Sequence, residues 1–142
     1  MYRHILIPTD GSKLAEHGVA HGLALAKSLG AKVSVIFVVE PFSELTGRFQ
    51  EAVATYAELR KEQAASTLVH AANGAKEAGV SCETIQVENG QPHQAIIAAA
   101  ENKGCDLIVM SSHGRSGLSM LLIGSVTNKV LAQAKIPVLV CQ

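Results

Sequence analysis

Two short loops carry the residues whose types and spacing could bind a ligand. The first, Pro8-Thr9-Asp10-Gly11-Ser12, interrupts the apolar run that opens the chain. The second begins Ser111-Ser112-His113-Gly114-Arg115, is rich in glycine and closes at Gly124. It leads into a segment with helical character that begins at Ser125. Because a helix N-terminus offers free N–H groups and a favourable dipole, this second loop predicts a phosphate-binding site.

Several side chains of these loops have a second interpretation beside ligand binding. Asp10 could simply begin a turn, since Asp-Gly is common turn chemistry. His113 could contact phosphate or hydrogen-bond the loop and hold its shape, and we favour the structural role slightly. Ser125 could serve only as the N-cap of the following helix, or cap it and face the phosphate as well.

Other kinds of site are disfavoured by the sequence. The phosphate-binding loop is not of the Walker A type, because GxxxxGK[ST] is absent, and no GxGxxG follows the first strand. His17 and His21 are four residues apart, but no third metal ligand accompanies them, so we expect no metal site. No nucleophile–histidine–acid constellation can be assembled from the spacing. Arg60 and the charges beside it are interpreted as ordinary solvated helix surface.

The elements that must position the two loops alternate along the chain. Apolar runs and turn residues predict strands over 2–8, 33–39, 80–88, 106–110 and 137–140, and helices over 13–29, 49–78, 92–103 and 125–134. Ser12 is the expected N-cap of the first helix, and Gly30 suits the C′ position just after its end. Strict alternation favours a parallel sheet with helices on both faces. Ligands bind such sheets beyond the carboxyl ends of the strands, where the strand order reverses.

Composition narrows the class of protein. The 142 residues suit one domain over 1–142, and 48% of them are hydrophobic. Twelve basic residues balance twelve acidic ones, so a nucleic-acid partner is not expected. Three cysteines without a CxxC pair favour a reducing compartment, and no apolar run is long enough for membrane insertion. These features together predict a cytoplasmic protein.

At this point a family resemblance can be stated. Gly114, nine further residues, Gly124 and Ser125, preceded by Ser112 and His113, resemble the signature G-x2-G-x9-G-[S/T] of the ATP-binding universal stress proteins. The segments 5–12, 106–110 and 136–140 also resemble the family, and the match covers the whole chain. One position departs from the signature, because its first glycine is Ser111 here.

The resemblance implies a fold and a set of contacts. The implied fold is a single-domain, Rossmann-like α/β structure, with an open parallel five-stranded sheet in the order 3-2-1-4-5 and helices on both faces. Asp10 would lie near the ribose or adenine, the backbone at Val38 would face the adenine edge, and the phosphates would lie at the second loop. The nucleotide-binding residues implied in this way are Pro8, Thr9, Asp10, Val38, Met110, Ser112, His113, Gly114, Arg115, Gly124, Ser125, Val126 and Thr127.

The expected function is that of an ATP-binding regulatory or stress-response module. ADP or AMP could replace ATP, and Mg²⁺ could arrive with the nucleotide. Two alternatives stay open: a dimeric interaction module of the same family that binds no nucleotide, and a slow ATPase or phosphotransferase. We also expect a homodimer through the last strand, whose residues Val138, Leu139 and Val140 are apolar, and a regulatory protein partner that the sequence does not identify.

Overall fold

Five parallel strands and four helices make up the part of the chain that the computed structural model describes, namely residues 1–41, 50–113 and 123–142. The strands are β1 (His4–Pro8), β2 (Lys32–Val39), β3 (Cys82–Glu88), β4 (Leu107–Ser111) and β5 (Val138–Cys141). The helices are α1 (Lys13–Leu29), α2 (Gln50–Ala78), α3 (Pro92–Lys103) and α4 (Ser125–Gln133). The elements alternate in the predicted order.

The strand order in the sheet is β3-β2-β1-β4-β5. Ile5 of β1 is paired with Val33 of β2 on one side and with Leu107 of β4 on the other, both in parallel register. The predicted topology is therefore confirmed. The strand order reverses between β1 and β4, and open α/β sheets bind ligands at the carboxyl ends of the strands at such a reversal.

Each face of the sheet is covered by one pair of helices. On one face, buried residues such as Ile7, Val35 and Phe37 pack with residues of α1 and α2, including Leu68. On the other face, residues such as Leu6, Ile36 and Ile108 pack with Ile96 of α3 and Val130 of α4. Successive residues of β1 and β2 thus supply opposite faces, which explains why these strands are apolar throughout.

Helix α1 ends as the sequence predicts. The Ser12 side chain accepts a hydrogen bond from the N–H of Ala15 at 3.2 Å, and Gly30 adopts a left-handed conformation with φ of 67°. Helix α2 ends at Ala78 as predicted, but the start of β3 is two residues off, because the N–H of Val80 still donates to Ala75 O at 2.9 Å. Strand β3 therefore begins at Cys82 instead of residue 80.

The amino ends of β1, β2 and β3 are joined by a polar network that we call the amino-end network, consisting of His4, Ser34, Glu83 and Lys103. The Ser34 hydroxyl donates to Glu83 Oε1 at 2.8 Å, and Ser34 Oγ lies 2.7 Å from His4 Nε2. Because the hydroxyl hydrogen goes to Glu83, the His4 ring donates to Ser34. Glu83 Oε2 also lies 3.4 Å from Lys103 Nζ.

The electrostatics of this end follow from its hydrogen bonds. Burial, and then the charge of Lys32, hold the pKa of His4 below its ordinary value. The hydrogen bond from Ser34 lowers the pKa of Glu83. Burial of Asp106 acts to raise the pKa of its carboxyl, but the N–H groups of Arg3 and His4 donate to it, and the pKa is lowered overall.

None of the described helices is a candidate for spanning a membrane. Even α2, the longest of the helices described, lacks the sustained apolar composition that crossing a bilayer requires, and the same holds for the other described helices.

Candidate functional site

A cavity of about 340 Å³ lies at the carboxyl ends of β1, β2 and β4. This is the edge of the sheet at which the strand order reverses. Its walls are formed by Pro8, Thr9, Asp10, Ala15, Ile36, Val38, Glu40, Arg60, Pro92, Ile96, Met110, Ser111, His113, Gly124, Ser125, Val126 and Thr127. Its volume is within the range of small-molecule sites.

The loop after β1 is held by hydrogen bonds that its own sequence supplies. Thr9 N–H continues the sheet by donating to Ile36 O at 2.9 Å. The Thr9 hydroxyl accepts from Gly11 N–H at 3.2 Å, and Asp10 Oδ1 accepts from Ser12 N–H at 3.0 Å. Asp10 is therefore a turn residue and a cavity residue at once.

Gly11 allows this loop to lie close to α2. Its φ is +80°, and an added Cβ would lie 2.9 Å from Thr67 Oγ1. Both the backbone conformation and the space exclude a side chain here without a shift of the loop. The packing of the loop on α2 thus favours glycine at position 11.

The first turn of α4 forms the opposite side of the cavity. Gly124 is its N-cap, and the N–H of Gly124 donates to Ser112 O at 2.7 Å. The interpretation of Ser125 as the N-cap is therefore wrong: Ser125 is the first helical residue, and its side chain is exposed. The N–H groups at the start of a helix have no partner within it, and this first turn contains no acidic residue.

Three residues at the end of β4 connect that strand to α4. Ser111 Oγ donates to His113 O at 2.8 Å, and Thr127 Oγ1 donates to Ser111 O at 3.0 Å. Ser111 stands where the signature has its first glycine, and its hydroxyl makes a hydrogen bond within the protein. Ser112 is buried, and its N–H donates to Cys141 O at 2.8 Å.

His113 is fixed on one side of its ring only. Its Nδ1 lies 2.9 Å from Ser112 Oγ, and the residue is 5% exposed. Its Nε2 is buried and has no hydrogen-bond partner among the residues described. A buried polar atom without a partner costs about 1–3 kcal/mol, so this nitrogen suits a polar atom of a ligand. A cavity-lining residue with a fixed ring thus keeps one nitrogen without a partner among the described residues.

Arg60 does not lie on ordinary solvated helix surface, so that interpretation is wrong. It is half-buried on α2 and lines the cavity. Its guanidinium carbon lies 5.4 Å from the centre of the Phe37 ring, and its Nη1 donates to Gln63 Oε1 at 2.6 Å. The side chain of Arg60 thus lies against a ring of β2 while it lines the cavity.

Comparisons with known proteins agree with the fold described above. The family model described as "Universal stress protein family" matches residues 1–142. The chain belongs to the universal stress protein family. A universal stress protein of Methanocaldococcus jannaschii is 38% identical over 142 residues, which are 99% of this chain and 82% of the relative.

Two solved structures of universal stress proteins resemble this chain in fold. UspA from Lactobacillus plantarum superposes with a TM-score of 0.89 at 21% identity, over 99% of this chain and 98% of that one. A universal stress protein solved in complex with cAMP superposes with a TM-score of 0.71 at 25% identity, over 99% and 97% of the two chains. The first of these likenesses concerns the fold alone.

Most residues expected to bind nucleotide in this universal stress protein surround the one cavity. Those that line it are Pro8, Thr9, Asp10, Val38, Met110, His113, Gly124, Ser125, Val126 and Thr127. Ser112 does not line it, but lies behind His113 and positions the ring. Gly114 and Arg115 lie outside the described residues.

Sequence reasoning missed several cavity residues. Glu40 directly follows β2, and Pro92 begins the helix after β3, so the rule that sites lie at carboxyl ends could have found both. Ile36 and Ile96 look like ordinary core residues. Arg60 carries no local signal, because it stands in the middle of a 29-residue helix.

The cavity residues offer a ligand one apolar wall and polar groups at each end. Ile36, Val38, Ile96 and Met110 are apolar and belong to the face that α3 and α4 cover. In the ranges that the structure describes, no group of three His, Cys, Asp or Glu side chains could hold a metal ion. The arrangement suits a flat apolar group with a charged extension.

Proposed function

We propose that this universal stress protein is a regulatory module that binds an adenine nucleotide, with ATP, ADP or AMP as the ligand. The observation that carries the proposal is a cavity lined both by the first turn of α4 and by His113, whose buried Nε2 has no hydrogen-bond partner among the described residues. An anion suits both features, because helix N-termini favour negative charge and an imidazole N–H donates to an anion. The complex of a 25% identical family member with cAMP supports an adenine nucleotide.

In this proposal the phosphates lie at α4 and the nucleoside lies toward β2. Gly124, Ser125, Val126 and Thr127 would surround the phosphates, together with Gly114 and Arg115 of the same loop. Asp10 would accept from the ribose or the adenine, with Pro8, Thr9 and the backbone of Val38 beside it. Met110 and Val126 would pack on the apolar part of the ligand.

A regulatory role fits the chemistry better than a dedicated enzyme. Phosphoryl transfer requires carboxylates that hold Mg²⁺ and a residue that positions the nucleophile. The loop 111–124 contains no Asp or Glu. Mg²⁺ would therefore arrive on the phosphates of the nucleotide, and hydrolysis would at most be slow.

Calorimetry with ATP, ADP, AMP and adenosine tests the proposal. We expect ATP to bind with micromolar or tighter affinity, about −8 kcal/mol or better. Mass spectrometry of the purified protein under native conditions would show whether a nucleotide accompanies it. The absence of both heat and thermal stabilisation at millimolar ATP would contradict the proposal and favour the interaction module that binds no nucleotide.

We also propose a homodimer through β5. This strand is an edge of the sheet, and Leu139 is 38% exposed between Val138 and Val140. An apolar edge strand with unpaired backbone groups favours pairing with a second copy. Sedimentation of Leu139→Lys should give a monomer, with Val69→Lys on exposed α2 surface as the control. A wild-type monomer at tens of micromolar would refute this assembly.

We propose further that residues 1–142 form one domain and that the protein is cytoplasmic. Burial raises the pKa of all three thiols, that of Cys105 to about 11, and the three cysteines are free. Thiols of this kind stay protonated and suit a reducing compartment. No nucleic-acid partner is proposed, and the regulatory protein partner is left unnamed.

A further inference from the structure

The β2 side of the cavity holds two charged side chains that the proposed nucleotide contacts do not use. Glu40 and Arg60 both line the cavity. Neither makes an ion pair in the described part of the chain, where Lys103 and Glu83 form the ion pair observed. An arginine that is half-buried without a carboxylate partner is unusual, because its charge is normally compensated when solvent is reduced.

Arg60 is held in place by neighbours that leave most of its donors unused. The contact with Phe37 engages the face of the guanidinium, and Nη1 donates to Gln63. A guanidinium carries five N–H donors in a fixed plane, and the described residues accept from it only through Gln63. The side chain is thus pre-positioned at the wall of the cavity before any ligand enters, which lowers the entropic cost of a contact.

The charges at the two ends of the cavity differ in sign. Toward β2, Asp10 and Glu40 carry two negative charges against the one positive charge of Arg60. Toward α4, the described cavity residues include no carboxylate, and the helix dipole adds positive potential. A phosphate at the β2 end would therefore lie in a net negative environment. An uncharged group with hydrogen-bond donors and acceptors would instead find acceptors in the carboxylates and a donor in Arg60.

We infer that Arg60 and Glu40 are specificity-determining residues that select the uncharged nucleoside end of the ligand. Arg60 donates to an acceptor of the nucleoside, and Glu40 accepts from a donor of the nucleoside. The donor is either a ribose hydroxyl or the exocyclic amine of the base, which share the same hydrogen-bond chemistry. This inference rests on the proposed nucleotide function and gives it an orientation and a basis for selectivity.

Calorimetry of Arg60→Ala with adenosine and with ATP tests the first contact. Because a hydrogen bond from a charged donor is lost, both affinities should fall by the same factor, roughly tenfold or more. Arg60→Lys should recover only part of the loss, since an ammonium lacks the planar fork. Lys61→Ala removes a cation one residue away on exposed surface and should bind as wild type does. Circular dichroism of each variant checks its fold.

Glu40→Gln tests the second contact and separates the two sources of the donor. Its affinity for adenosine should fall about tenfold, whereas Glu88→Gln, at the exposed end of β3, should show no change. If the loss disappears with 2′,3′-dideoxyadenosine, Glu40 accepts from the ribose; if it disappears with inosine, it accepts from the base amine. A loss that persists with both ligands would overturn a direct contact.

Further outcomes would overturn the inference while leaving the proposed function intact. Arg60→Ala could weaken ATP without weakening adenosine, which would assign Arg60 to the phosphates. Unchanged binding of adenosine by both variants, with normal wild-type binding, would remove both residues from the site. If the wild type bound neither adenosine nor ATP, both the proposed function and this inference would be overturned.

Discussion

At the amino ends of the strands, polar side chains bond to one another, whereas at the carboxyl ends one buried nitrogen has no hydrogen-bond partner and one arginine no counter-ion among the described residues. Ser34 links His4 to Glu83 with hydrogen bonds of 2.7 and 2.8 Å. At the other end, Nε2 of His113 is buried and unpartnered, and Arg60 has no counter-ion in the described ranges.

This difference separates polar groups that serve the fold from polar groups that are available to a ligand. A fully satisfied buried network favours one strand register and one arrangement of the core. A buried polar atom without a partner lowers stability, so its presence calls for an explanation such as a ligand. Substitutions at the two ends should therefore affect different measurements.

The largest expected effect is on binding at the carboxyl ends. Gly124→Val places a branched side chain on the buried N-cap of α4, where the proposed phosphate approaches the backbone. Affinity for ATP should fall about 100-fold or more, roughly 2.8 kcal/mol, in calorimetry. Gly90→Val, at an exposed turn where an added Cβ meets nothing within 4 Å, should bind normally. A folded Gly124→Val protein with wild-type affinity would contradict the proposed position of the phosphates.

The next effect is on stability at the amino ends. Ser34→Ala leaves the buried Nε2–H of His4 without its acceptor, so the free energy of unfolding should fall by about 1–3 kcal/mol. Urea denaturation measures this change, and Ser81→Ala, at an exposed position before β3, is the control. ATP affinity should stay unchanged, and a loss of affinity equal to that of Gly124→Val would abolish the distinction between the two ends.

A smaller effect concerns pH. The folded protein holds the pKa of His4 below the value of 6.5 that an unperturbed histidine has, so below this pH the unfolded chain takes up a proton that the folded chain resists. Stability should therefore fall as the pH drops from 6.5 through the folded pKa of His4. His4→Gln should lose this part of the pH dependence, measured as the difference between the two denaturation curves. The contributions of Glu83 and Asp106, whose pKa values are also lowered, are lost at lower pH in both proteins. If the stability of the wild type and of His4→Gln changed identically with pH just below pH 6.5, the role assigned to His4 would be contradicted.

The smallest effect concerns the departure from the family signature. Ser111→Gly removes the hydrogen bond to His113 O and adds backbone freedom within β4, so stability should fall by roughly 1 kcal/mol. ATP affinity should change by less than about threefold, roughly 0.6 kcal/mol. Calorimetry and denaturation of the same preparation measure both. A gain of tenfold or more in affinity would mean that the Ser111 side chain obstructs the ligand.

Local patterns predict the fold well because each strand and helix carries its own signal. The apolar run of β1, the Ser12 cap and Gly30 each define an element without reference to the rest of the chain. The strand order came from the family resemblance, and the structure has the same order. The start of β3 was misjudged because Val80 is apolar in either setting, and only its hydrogen bond to Ala75 O assigns it to the turn after α2 instead of the strand.

Residues that depend on distant partners escape such reasoning. Arg60 reaches the cavity because α2 packs against β2 and brings it over Phe37, a relation between positions 23 residues apart. The amino-end network likewise joins three strands through single side chains. Asp10 and Gly124 were found because they follow a strand or precede a helix directly, which is a property of neighbouring residues.

The hydrogen bond from Ser112 N–H to Cys141 O has a mechanical consequence. The carbonyl of Ser112 also accepts from Gly124 N–H, and its hydroxyl lies against the ring of His113, so the start of α4 and the end of the last strand are both bonded to Ser112. A large shift of the Ser112 backbone would either break the bond at 2.8 Å or move the end of β5 with it. If the proposed nucleotide shifts this backbone on binding, the edge of the sheet should therefore move as well.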